Sequence, residues 1–197
     1  TDALPEKYRQ FLADVEPILT DVERDTMLRL TSDYQRDAFI EGFWKRRSVG
    51  ADGMRIAFRD IYELRLKQVH ELFRGTFTDQ AKIFLSNGPP DGVKKIDCQD
   101  IYWPLQVWYY ERMESIRASK VVLLFYQPFG AGDFQLWTPQ DGVYALQVGG
   151  LGGLAGASAS RRVDTTRCSE WRDVNAAMNA SAAFFGGAGG LKAIEEI

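Results

Sequence analysis

The hydrophobic pattern of this chain changes period near residue 80, and that switch restricts the folds open to it more than any other feature. Before the switch, apolar residues recur at helical spacing. Tyr8, Phe11, Leu12 and Val15 form a stripe ahead of Pro17, with Pro5 suited to a first helical turn. "TDVE" at Thr20 to Glu23 and "SDYQ" at Ser32 to Gln35 are capping-box patterns, in which a hydroxyl and the side chain three positions on satisfy free amides, so a helix is predicted to start at each. Phe39, Ile40, Phe43 and Trp44 then run into Lys45, Arg46 and Arg47. "GADG" at 50–53 breaks the pattern, after which Met54, Phe58, Ile61, Arg65, Val69 and Phe73 are predicted to mark one face of a long helix that Gly75 ends.

Beyond residue 80 the pattern is alternating or continuously β-rich. Predicted strands are Lys82 to Ser86, Leu105 to Tyr110, Lys120 to Tyr126 and Asp133 to Trp137, separated by turn-rich stretches such as "NGPPDG". Trp171, Val174, Met178 and Phe185 return to helical spacing in a segment opened by Asp164 or Thr165. Helices first and strands afterwards, without alternation, predict an α+β fold rather than a doubly wound one. The expected architecture is N-terminal helices packed on an antiparallel four- to five-stranded meander, with a C-terminal helix. Residues 1–140 make up the helices and sheet, and residues 141–197 a Gly-rich loop, a helix and a flexible extension. With 45% hydrophobic and 13% aromatic residues the chain can bury a substantial core, for which Phe43, Trp44, Phe58, Phe73, Phe84 and Trp108 are the candidates.

Composition removes several function classes. A formal charge of −3 offers no bulk attraction to phosphate backbones, so nucleic acid is not an expected partner. The longest apolar run, "VVLLF" at Val121 to Phe125, falls far short of the roughly 20 residues a spanning helix needs, so no transmembrane segment is read in this chain. His70 is the single histidine and has no C-x-x-C to join, so neither a transition metal nor any other cofactor is expected. Gly150, Gly152 and Ala155 fit a G-x-G-x-x-A dinucleotide pattern, but the βαβ unit that pattern needs does not follow. Cys98 and Cys168 permit a disulfide without requiring one.

The residues left to carry chemistry are few. Arg65 lies on the apolar stripe of its helix and so calls for a buried partner, with Asp79 a candidate. Arg47 closes the basic triplet, and guanidinium groups suit bidentate contacts to carboxylate or phosphate. His70 is the one histidine, a residue type suited to general-base work. Asp91 sits in the "NGPPDG" corner, which can build a loop-borne site or merely staple the fold. Arg47, Arg65, His70, Asp79 and Asp91 therefore form the candidate polar cluster, read either as structural or as a ligand cleft. No nucleophile-elbow motif and no paired catalytic signature is present.

Four segments together carry a family resemblance: "RDAFIEGFWKRR" at Arg36 to Arg47, "FRDIYELRLKQVHELF" at Phe58 to Phe73, "GTFTDQAKIFLSNGPPD" at Gly75 to Asp91, and "LQVWYYE" at Leu105 to Glu111. Over roughly residues 8–137 the chain resembles bacterial GWxTD-domain proteins. The name motif appears as Gly75, Thr76, Phe77, Thr78, Asp79, with Thr76 in the tryptophan position. The resemblance implies an exported or envelope-associated protein, with the T-D pair preceding a β-strand and the G-P-P-D turn following it. It carries over no catalytic residue.

The expectation from the residues is a non-enzymatic module that binds another protein through an aromatic surface of sheet or loops, formed by Tyr102, Trp103, Trp108, Tyr109, Tyr110 and Trp137. The alternative is a hydrolase-like or small-ligand-binding protein with a cleft around Asp79, Asp91, Arg65, Arg47 and His70.

Overall fold

The computed structural model describes residues 4–49, 56–98, 100–113, 115–148 and 164–186. The "GADG" break, Met54, the Gly150 to Ala155 pattern and the C-terminal extension lie outside them. Among the described residues, six α-helices and a four-stranded antiparallel sheet in the order β1-β2-β3-β4 make a mixed α+β fold. The helices are α1 (Glu6–Asp14), α2 (Asp21–Arg29), α3 (Asp33–Arg47), α4 (Phe58–Leu72), α5 (Asp79–Asn87) and α6 (Trp171–Gly186). The strands are β1 (Gly92–Ile96), β2 (Leu105–Met113), β3 (Ala118–Tyr126) and β4 (Gln135–Leu136).

Both capping boxes form. Thr20 and Glu23 close α2, and Ser32 and Gln35 close α3, each by reciprocal side-chain bonds to backbone amides. Pro17 sits inside a short 3-10 turn, Glu16–Ile18, that separates α1 from α2. Asp164 caps the 3-10 turn Thr165–Arg167 just ahead of α6.

One predicted strand is a helix. Lys82 to Ser86 lies inside α5, so the T-D pair begins a helix and not a strand, and "NGPPDG" leads from a helix into β1. A five-residue apolar run cannot by itself separate the two structures, and here the ends decide. Thr78 Oγ accepts from the Ala81 amide at the start, and Gly88 ends the helix at φ +86°. The first strand is instead the lysine-bearing edge Gly92–Ile96, which shows little apolar signal because it pairs on one side only.

Alternation along β3 divides the core in two. Val121, Leu123 and Phe125 face the layer built by α1, α3, α4 and α5, which Phe185 at the end of α6 also joins, whereas Leu124 and Tyr126 face the rest of α6. The first side is aromatic: Phe11 meets Phe43 edge-on at 5.4 Å, Trp44 lies 5.7 Å from Tyr62, and Trp108 lies 4.9 Å from Phe125. The predicted face of α4 packs inward at Phe58, Arg65, Val69 and Phe73, but Tyr62 takes the place expected for Ile61. Tyr62 and Val69 are buried and the Tyr62 hydroxyl donates to the Asp14 carbonyl at 2.9 Å, while Ile61 is exposed.

On the second side Val174, Ala177 and Trp171 of α6 pack with Ile96, Leu105, Leu124 and Trp137. A disulfide between Cys98 and Cys168, 70 positions apart, joins the chain after β1 to the approach to α6. Closing so long a loop restricts the unfolded chain by about 4 kcal/mol on the chain-entropy model. Accordingly, reduction, or a Cys98→Ser, Cys168→Ser double variant, is expected to lower unfolding stability by about 2–5 kcal/mol. Urea titrations of the oxidised and reduced protein read this directly, and coincident midpoints would show that the crosslink contributes nothing.

Candidate functional site

The candidate polar residues are consumed one by one by backbone and ion-pair contacts. Arg65 reaches from α4 to the C-terminal end of α5, donating to the Leu85 and Ser86 carbonyls at 3.0 Å each. Those carbonyls belong to the last turn of a helix and have no amide of their own helix to bind, and a cation there is further favoured by the helix dipole. Gly88 is required at this point. Its φ of +86° suits glycine, and a Cβ would lie 3.1 Å from an Arg65 guanidinium nitrogen.

The rest of the corner is tied to the sheet. The buried Tyr110 hydroxyl donates to the Gly88 carbonyl at 2.9 Å. Asn87 Oδ1 accepts from the Ser115 amide at 3.2 Å and hydroxyl at 2.8 Å, while its Nδ2 donates to the Ile83 carbonyl. Asp91 is exposed and accepts from the Glu111 amide at 2.7 Å, continuing the β1–β2 ladder past the point where two prolines offer no amide. "NGPPDG" is thus stapled at three of its six residues.

Asp79, in the first turn of α5, accepts from the Leu136 amide of β4 at 2.7 Å. Trp137 donates to Leu124 on β3, so the neighbouring Leu136 amide points away from the sheet, and Asp79 satisfies it there. Asp79 and Asp91 therefore finish opposite sides of the sheet. Neither they nor Arg65 bond to one another, and His70 lies exposed on α4.

Arg47 has its own partner. Its guanidinium donates to both Glu23 carboxylate oxygens, at 2.9 and 2.7 Å, and to the Ile18 carbonyl at 2.5 Å, while lying 3.7 Å over the Phe43 ring. The pair is largely shielded, with side-chain exposures of 19% and 16%. Arg46 adds a bond to Glu23 at 3.0 Å. The Arg47 hydrogen bonds, helped by Arg46 and the Thr20 amide and opposed by burial, hold the Glu23 carboxyl down at about 2 against an ordinary 4.5. The basic triplet is thereby partly neutralised from within. Glu23 is legible in the sequence as a capping residue, but its arginine partners lie 23 and 24 positions away on the next helix and carry no local signal.

Of the six aromatic residues expected to form a surface, Tyr102, Trp108, Tyr110 and Trp137 are buried, and Trp103 and Tyr109 are half-buried. Exposed apolar side chains gather on the helical layer instead. Ile61, Leu64 and Leu72 of α4 stand 44%, 60% and 65% exposed. Beside that helix, Phe11, Ile40, Trp44, Tyr62 and Leu66 line a groove of about 310 Å³ between α1, α3 and α4. Among the described residues no helix is long and apolar enough to cross a membrane, and no group of three or more His, Cys, Asp or Glu side chains is placed to hold a metal ion.

Comparisons with protein-family models, with curated proteins and with solved structures each give no match to this chain.

Two outcomes check the site chemistry. Glu23 has a folded-state pKa below its unfolded one, so its stabilisation is present above about pH 4.5 and is lost as pH falls toward 2. Glu23→Gln is expected to cost about 2–3 kcal/mol at pH 7, with the gap from the parent protein closing over that acid range in urea titrations. For the corner, Arg65→Met keeps the aliphatic stem but withdraws both donors from buried carbonyls, and a loss of about 2–3 kcal/mol is expected. Gly88→Ala is expected to destabilise by about 1–3 kcal/mol through its backbone angle.

Proposed function

We propose that this protein is a non-enzymatic protein-binding module whose docking surface is the outer arc of α4. The carrying observation is the row Ile61, Leu64 and Leu72, which shares one side of the helix at positions i, i+3 and i+11 and is left uncovered by the fold. Gln68 fills the gap in the row, so the arc runs nearly the length of the helix. Asp60, Lys67 and Glu71 lie together along its outer edge, are exposed, and make no ion pair among the described residues. An apolar stripe with a charged border matches the apolar face of an amphipathic helix, and that is the partner we assign.

The Cys98–Cys168 bridge supports the accompanying reading that the protein works outside the cytoplasm, because disulfides persist in oxidising compartments. This reading agrees with the envelope association that the resemblance to GWxTD-domain proteins implies. The ligand-cleft alternative draws less support, since Asp79, Asp91, Arg65 and Arg47 each bond to a different backbone or carboxylate group.

The probe is a designed amphipathic helix of leucine and lysine, titrated into the protein by calorimetry. Leu64→Gln, which changes no charge at an exposed site, is expected to weaken binding about tenfold without altering the unfolding midpoint. Equal affinity of parent and variant would remove α4 as the docking surface.

A further inference from the structure

We propose that a second groove, at the start of α5 and on the far side of the "NGPPDG" corner, binds a small primary ammonium compound with an apolar or aromatic body. The groove holds about 370 Å³ and is walled by Phe73 and Phe134. Its polar character follows from a donor-only group in the core. The Trp108 indole can only donate, and it does so to Gln106 Oε1 at 3.2 Å. Gln106 must therefore turn its oxygen toward Trp108, and Gln80 meets that same oxygen with its Nε2 at 3.0 Å. The orientation of both carboxamides is fixed by this chain of bonds.

Gln80 is consequently left with its oxygen free. The side chain belongs to a residue only 5% exposed, and the oxygen takes no hydrogen bond among the described residues. Nor is it one of the sealed atoms without a partner, which are Arg36 Nε, Trp103 Nε1 and Ser181 Oγ, and this places it against the solvent of the groove that Gln80 lines. Gln127 contributes in the same way, because its Nε2 donates to the Gly132 carbonyl at 2.7 Å and its oxygen remains an acceptor. At the rim Arg74 lies 3.7 Å from Asp133, while Glu71 makes no ion pair among the described residues.

Two carboxamide oxygens and one uncompensated carboxylate thus line a single groove with aromatic walls. An ammonium group has three donors and no acceptor, and it is the ligand chemistry that uses all three. A carboxylate or phosphate ligand would have to draw Arg74 from Asp133 and would still face the carboxamide oxygens and Glu71. The apolar remainder of the ligand lies against Phe73 and Phe134, where a ring or short alkyl chain displaces water.

The probe is 2-phenylethylammonium, titrated into the isotopically labelled protein and followed by amide and indole NMR resonances. Expected is a saturable change that includes the Trp108 indole, since a cation on Gln80 strengthens the donor bond behind it. Gln80→Leu is expected to weaken binding about tenfold, and Glu71→Gln about threefold. 2-Phenylethanol, with the same body and no charge, is expected to bind about tenfold more weakly. Glu71 is exposed, so its variant remains informative should Gln80→Leu fail to fold. Absence of saturation, equal binding of the alcohol, or unchanged affinity in the folded variants overturns the assignment.

Discussion

The insertion of Arg65 beneath the end of α5 is the contact on which the arrangement of helices and sheet depends. This helix has only nine residues, five of them buried, so its end groups are shielded from water at the place where a helix leaves carbonyls unmatched. Each such group costs about 1–3 kcal/mol if it stays unmatched, against a total stability of roughly 5–15 kcal/mol for a domain. Arg65 covers two of them and Tyr110 a third just beyond the helix, while Thr78 caps the other end. One short helix thereby fixes α4 on one side, β2 behind it and, through Asp79, the edge strand β4.

The two central arginines solve the burial of a charge differently. Arg47 meets a full counter-charge and a ring face, giving a pair whose strength depends on the Glu23 carboxylate staying ionised. Arg65 meets no carboxylate, and burial lowers its pKa from the ordinary value; the neighbouring Tyr110 and Tyr62 side chains oppose that effect. An arginine tolerates this where a lysine does not, because its guanidinium is weakly hydrated and offers several donors in a fixed plane. Both are therefore occupied in joining helices, and the acidic residues at the sheet margins are occupied in completing its hydrogen bonds.

What the sequence disclosed follows the range of the interactions involved. Capping boxes at Thr20 and Ser32, the strands around Leu105 and Lys120, and the helix at Trp171 were legible because their signals span a few neighbouring residues. "AKIFLS" was misleading because an apolar run that short fits a buried helix as well as a strand, and its two ends outweigh its interior. The inward place of Tyr62 was hidden for a related reason: apolar residues occupy more than half the circumference of α4, so Ile61 and Tyr62 compete for that position until Asp14 supplies a partner for the tyrosine hydroxyl. The partners of Arg65, Asp79 and Gln80 lie at least 20 positions away, and no local pattern encodes such pairings.

That breadth of apolar surface on α4 also separates folding requirements from the remainder. The inner arc, with Phe58, Tyr62, Leu66, Val69 and Phe73, already supplies the contacts that hold the helix to the core. Ile61, Leu64 and Leu72 remain half-exposed outside that packing, so each forgoes about half of the roughly 1.5–3 kcal/mol that full burial of such a side chain yields. Scattered exposed apolar residues are ordinary on protein surfaces, so their number alone decides little. Their alignment on one side of a single helix is what random scatter does not account for. The burial withheld by the isolated chain is what the proposed docking of an amphipathic helix would recover.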